Sequence, residues 1–141
     1  MIVWISKRLA LAIHDRQLSE HGGGTGVRDE ALLDSALARP QQLFACGDPP
    51  PDIAALAASL AVAIARNRPF IHGNTGTAFA CHRVFLGLNS ARIEANEIDE
   101  YIAMLRLAEG SLDETEFAAW LRERLRLADA GSVNEPKAAY R

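Results

Sequence analysis

Between Asn67 and Ala78 the chain reads Asn-Arg-Pro-Phe-Ile-His-Gly-Asn-Thr-Gly-Thr-Ala. A proline-kinked loop there leads through Gly73-Asn74 into helix-forming sequence. The first turn of a helix exposes N–H groups without intrahelical partners at the positive end of its dipole. That arrangement suits an anion, and phosphate is the usual one. Gly73 lets the backbone approach a ligand closely. Gly73, Asn74, Thr75, Gly76 and Thr77 are therefore candidate phosphate-binding residues. Arg68 reads either as a phosphate-holding cation or as a surface arginine; a permanently protonated guanidinium cannot serve as a base. His72 reads as a general base, as a ligand for a softer metal such as zinc, or as a loop histidine without a partner. Arg83 lies two helical turns beyond Gly76, about 10 Å along the same face, and reaches an anion only weakly from there. His14, His21 and His82 are not expected to cluster.

Helices must position this loop. Ser6 starts the first, which runs through His21 with Leu9, Ile13 and Leu18 as a partial stripe. The run Gly22-Gly23-Gly24-Thr25-Gly26 stops it and lacks the pattern of a phosphate-cradling P-loop. Asp29 starts a second helix carrying Leu32, Leu33, Ala36 and Leu37. Pro40 is expected to end it, leaving residues 41–51 as a loop. Asp52 starts a third helix, with Ile53, Leu56, Leu60 and Ile64 amid alanines, which predicts a central, buried element. Pro69 breaks it. The fourth follows Gly73-Asn74 and runs to about Leu88. Asn96 starts a fifth (Ile98, Ile102, Leu105), closed by Gly110. Asp113 and Glu116 form a capping-box pair for a sixth, stapled by Leu112 and Phe117 and continued by Leu121 and Leu125. Ile2–Ile5 and Ala91–Ala95 read as short strands that pair with each other. The expected fold is all-α, with about six helices and at most a two-stranded ribbon. Residues 1–129 are expected to form one domain and 130–141 a mobile tail.

Composition narrows the function classes. The 141 residues include 25 alanines, consistent with closely packed helices, and only 6% aromatics, which disfavours an aromatic-platform RNA binder. The net charge of −3 opposes a nucleic-acid-gripping role. Cys46 and Cys81 form no CxxC pair and read as isolated thiols. No run approaches the ~20 apolar residues of a membrane span, and no secretory leader is evident, so a cytoplasmic location is expected. Neither nucleic acid nor membrane is an expected partner.

The loop resembles the signature of the Fic/Doc family, in its death-on-curing toxin branch. His14-Asp15, His21-Gly22-Gly23, the stretch from Arg28 through Gln41, and Phe85-Leu86-Gly87-Leu88-Asn89 also look like that branch, in the same order. The resemblance covers roughly residues 3–125. It implies a small α-helical fold with a central signature helix. It also implies transfer of part of a nucleoside triphosphate, AMP or phosphate, to a protein hydroxyl, with ATP and magnesium as cofactors. A phage toxin of that branch moves a phosphate onto elongation factor Tu and is held inactive by an antitoxin, so the resemblance implies an antitoxin segment and a protein target such as elongation factor Tu as partners.

The family pattern reads His-x-Phe-x-acid-Gly-Asn, then Lys or Gly, then Arg. Its histidine is the base toward the target hydroxyl, its acid holds magnesium, and its final residues hold phosphates. Aligned on that pattern, Arg68 stands at the base position and His72 at the metal-carboxylate position. Thr75-Gly76 replaces the phosphate-holding pair. Phe70, Gly73 and Asn74 match, and these shape the loop more than they react. No acidic residue lies between Arg66 and Arg92, and a neutral imidazole is a poor magnesium ligand. No resident metal is expected. The residues thus predict a Doc-like protein with weak or lost transfer. The alternative is a divergent active transferase that uses rearranged groups.

Overall fold

The computed structural model describes residues 1–128. In chain order they form α1 (Lys7–His21), α2 (Glu30–Cys46), α3 (Ile53–Asn67), α4 (Asn74–Leu88), β1 (Ala91–Ile93), α5 (Glu97–Glu109), α6 (Glu114–Arg124) and β2 (Leu125–Leu127). This is the expected all-α fold with one small ribbon. The tail read as mobile lies outside the described residues.

Local side-chain chemistry starts the helices. Ser6 Oγ accepts the Leu9 N–H at 3.1 Å, Asp29 Oδ1 that of Leu32 at 3.0 Å, and Asp52 Oδ1 that of Ala55 at 2.9 Å. Each satisfies an N–H that the first turn leaves without a partner. At α6 the capping box is complete: Glu116 N–H donates to Asp113 at 2.7 Å, and Asp113 N–H donates to Glu116 at 2.9 Å.

α3 is the axis of the molecule. All of it is buried except Ile53, Ala55, Arg66 and Asn67, and it packs against α2, α4, α5 and α6. Its alanines permit that crowding, because a helix surrounded by neighbours has room only for short side chains on most of its circumference. Polar ties hold its ends. Arg122 grips Asp52 through two bonds of 2.6 and 3.0 Å, and Arg66 Nε donates to the Leu107 carbonyl at 2.9 Å. Between α4 and α5, His82 Nε2 and Glu100 Oε2 meet at 2.9 Å, both fully buried. Trp4 and Trp120 pack against the core edge.

Three expectations fail for physical reasons. Pro40 does not end α2; it sits buried inside the helix, and residues 41–46 continue it. The continuation carries Phe44 to an edge-on contact with Trp4 at 5.8 Å, so tertiary packing overrides the local preference. Ile2–Ile5 is extended and, among the described residues, pairs with no strand. The side-chain amide of Asn89 takes a partner strand's place, accepting from Val3 N–H at 2.8 Å and donating to Val3 O at 2.9 Å. The partner of β1 is instead β2, antiparallel, with Arg92 opposite Arg126. Leu125 therefore belongs to a strand and not to the stripe of α6. Among the described residues no helix is long and apolar enough to cross a membrane.

Candidate functional site

The loop between α3 and α4 is built against the loop between α1 and α2. α3 ends at Asn67, and Arg68 adopts the left-handed conformation (φ 52°, ψ 58°) as its C-cap. That conformation costs a residue with a Cβ roughly 1–2 kcal/mol, so neighbours must impose it. Arg28 does so. Its Nε donates to the Arg68 carbonyl at 2.7 Å and its Nη2 to the Asn67 carbonyl at 2.8 Å. The backbone N–H groups of Arg28 and Asp29 both donate to the Pro69 carbonyl, at 2.7 and 3.1 Å. Val27 and Phe70 form an isolated antiparallel bridge.

Phe70 points inward and is fully buried. The His14 ring stacks on it, with centroids 3.8 Å apart and planes 9° from parallel. His14 Nε2 lies 2.8 Å from the His72 carbonyl; a carbonyl only accepts, so Nε2 carries the proton. Asn74 is also buried. Its Oδ1 accepts the Phe70 N–H at 2.9 Å and its Nδ2 donates to the Phe70 carbonyl at 3.0 Å. One carboxamide thus closes the loop on itself, and its side chain is unavailable to a ligand.

Gly73 is the N-cap of α4 with φ +80° and ψ 21°, a conformation that favours glycine, and no side chain caps the helix. The first backbone bond of the helix runs from Thr77 N–H to Gly73 O at 2.9 Å. The N–H groups of Asn74, Thr75 and Gly76 precede it and have no partner within the helix. Thr75 and Gly76 are half-buried. Gln17 Oε1 lies 2.7 Å from where a Cβ at Gly76 would stand. Thr77 departs from its expected place on the binding surface. It is fully buried and its Oγ1 has no partner among the described residues.

His72 and Arg68 face solvent. His72 is not the partnerless histidine that one reading of the sequence held. Gly24 N–H donates to its Nδ1 at 2.6 Å, which leaves the remaining ring proton on Nε2. A side chain at Gly24 would place a Cβ 2.8 Å from that same Nδ1, so the contact requires glycine. The Arg68 guanidinium has no hydrogen-bond or ion-pair partner among the described residues. Arg83 is turned to α5, 3.5 Å from Glu97 and 3.7 Å from Glu100, well away from the loop. The described residues contain no group of three or more His, Cys, Asp or Glu able to hold a metal. Farther along α4, burial pushes the Cys81 thiol up to about 12.

Sequence reading missed Arg28, Gln17 and Gly24. Each lies 39 to 59 residues from the loop it touches, and none forms a local pattern with it.

Comparison with known proteins agrees with this architecture. The model of the Fic/DOC family matches residues 4–86. The protein named Toxin Doc from Mycolicibacterium smegmatis is 40% identical over 75 residues, which are 53% of this chain and 58% of that relative. The chain thus spans little more than half the length of the relative it matches. The matched segment runs from the start of α1 through most of α4 and includes both loops that build the site, so the chain belongs to the Fic/DOC family.

Proposed function

We propose that this chain is a Doc-like toxin-family protein in which the signature loop keeps its shape while nucleotidyl or phosphoryl transfer is weak or lost. One observation carries the reading. His72, at the position of the family's metal carboxylate, spends the lone pair of Nδ1 on Gly24 N–H at 2.6 Å, leaving an N–H at Nε2. Fic enzymes generally use ATP with magnesium. Magnesium demands hard oxygen donors, and the stretch from Arg66 to Arg92 offers no carboxylate. The donor set present does not fit a magnesium-bound nucleotide. Arg68, at the base position, cannot accept a proton.

The partner surface is the part we expect to persist. An antitoxin segment with apolar anchors docks beside α4 in this reading, and elongation factor Tu is the target that the resemblance to the death-on-curing branch implies. A second reading, a divergent active transferase, has one observation in its favour: the N–H groups of Asn74, Thr75 and Gly76 have no partner within the helix, and such groups suit phosphate oxygens.

Calorimetry and label transfer separate the two. Each missing charge-assisted phosphate bond removes about 1.5–3 kcal/mol, so ATP is expected to bind with Kd of about hundreds of micromolar or weaker, with little response to magnesium. The quadruple variant Arg68→His, His72→Asp, Thr75→Lys, Gly76→Arg supplies a base, a metal ligand and two phosphate cations. A Cβ at Gly76 meets only the far end of the Gln17 side chain. The wild type is expected to transfer no label from ATP to elongation factor Tu or a host lysate, and the quadruple variant to gain transfer. Single changes should do little, since groups that act as a unit are strongly non-additive. Tight magnesium-dependent binding and transfer by the wild type would establish the second reading instead.

A further inference from the structure

The run from Gly22 to Gly26 crosses from the end of α1 toward the start of α2 as a strap laid against the signature loop. It is tied down at both ends. Gly22 N–H donates to the Leu18 carbonyl at 2.7 Å, and the Gly26 carbonyl accepts from Ile71 N–H at 3.2 Å. Between those ties, Gly23, Gly24 and Thr25 make one hydrogen bond among the described residues, from Gly24 N–H to His72 Nδ1 at 2.6 Å. The strap follows the imidazole closely. A Cβ at Gly23 would stand 3.1 Å from the His72 Cβ, and one at Gly24 2.8 Å from Nδ1. Gly22, Gly23 and Gly26 all have positive φ, at 79°, 124° and 103°. Backbone that glycine adopts freely thus frames a single side-chain latch.

The latch works in one charge state of the ring. A backbone N–H only donates, so Nδ1 must offer a lone pair, which it has in the neutral ring. The imidazolium carries a proton on both nitrogens, and two donors would then face each other. No neighbour compensates for that loss. From α1, His14 spends its Nε2 proton on the His72 carbonyl, and the exposed Asp15 and His21 make no side-chain bond among the described residues. From the start of α2, Arg28 is committed to the Asn67 and Arg68 carbonyls and Asp29 to the Leu32 N–H. In the signature loop Arg68 adds like charge, and the first turn of α4 carries no charged residue. His72 has no ion pair among the described residues, so no carboxylate holds an imidazolium in the latched position.

We propose that the strap from Gly22 to Gly26 is a pH-sensitive closure, latched to the signature loop by neutral His72 and released when that ring takes up a proton. Histidine is the side chain suited to change its charge within the physiological range. The device does not depend on whether the loop transfers anything. Acid frees the strap and leaves the His72 ring with a proton on each nitrogen, beside the N-cap of α4.

Amide exchange and ring-nitrogen signals, followed by NMR on the full chain between about pH 8 and about pH 5, test this. At the upper end His72 is expected as the Nε2–H tautomer. Gly24 N–H should there exchange at least about tenfold more slowly than Gly23 and Thr25 N–H, each relative to an unstructured chain at the same pH. On acidification that protection should vanish along the same curve as the His72 ring signals. Thr77 N–H, bonded to the Gly73 carbonyl, should stay protected, since the fold remains intact. His72→Gln offers an acceptor that does not titrate, and Gly24 exchange in it should not respond to pH. In His72→Phe, which has no acceptor, Gly24 should exchange as fast as its neighbours throughout. The proposal is overturned by Gly24 protection that is absent at the upper end, persists in acid, follows another histidine's curve, still responds to pH in His72→Gln or survives in His72→Phe. It is equally overturned if Gly24 loses protection only together with Thr77, because the strap then opens only by unfolding.

Discussion

Phe70 and Asn74 are 0% and 2% exposed and are joined by two hydrogen bonds. Arg68, His72 and Thr75 are interleaved with them in sequence yet lie at or toward the surface. On the reading proposed above, the family's loop pattern is kept on the inner wall and altered on the outer one. The difference follows from burial. A change inside leaves a cavity or an unpaired backbone group; a change outside alters chemistry and little else. Conservation of the loop's form therefore says nothing about its reactivity.

The contrast can be broken most severely at Phe70. Phe70→Ala empties a fully buried site beneath the His14 ring and should cost about 3–5 kcal/mol of unfolding free energy. Urea titration measures it. Asn74→Ala comes next. It strips both partners from the Phe70 backbone, and each buried orphan costs about 1–3 kcal/mol. The two cysteines give an independent readout: in the native protein exposed Cys46 should be alkylated while buried Cys81 is spared. Asn74→Ala should raise the labelling of Cys81, on the helix the loop initiates. On the outer wall, Arg68→Gly should be neutral or stabilising by up to about 1 kcal/mol, since relief of the left-handed cost offsets glycine's extra entropy. A large loss there would mean that the outer wall is structural too.

The smallest expected effect lies at the far end of α3. The hydrogen-bonded Arg122 guanidinium holds the Asp52 carboxyl below its ordinary value of 3.8. A lowered folded value means that the unfolded chain takes up the proton first as pH falls. The contribution is thus complete above about pH 5 and drains away as pH drops through the folded value. Asp52→Asn keeps a capping oxygen and removes the charge. It should cost at most about 1 kcal/mol at neutral pH, as for a half-exposed pair, and that difference from wild type should vanish in acid.

The parts legible in the sequence were those written in neighbouring residues. Ser6, Asp29, Asp52, Asn96 and Asp113 start their helices as read, because a cap bonds only two or three residues ahead. The matching Phe70, Gly73 and Asn74 marked the loop. Pro40 misled because its local bias lost to packing at Phe44. β2 was hidden because Leu125-Arg126-Leu127 also continues a helical stripe, and only its pairing with β1 decides between the periods. Within the site, the partners of His72 and Arg68 could not be read, since Gly24 and Arg28 meet them only after α1, α2 and α3 have packed.

That dependence sets an order of events in folding. The bonds that shape the loop span 58 residues from His14 to His72, 48 from Gly24 to His72 and 40 from Arg28 to Arg68. Closing such loops is entropically costly until the helices supply contacts to repay it. The signature loop should accordingly be absent from the folding transition state and lock last. Arg28→Ala should then leave the refolding rate near the wild-type value and appear almost wholly as faster unfolding. The family's hallmark segment would be the first part of the molecule to come apart and the last to be made.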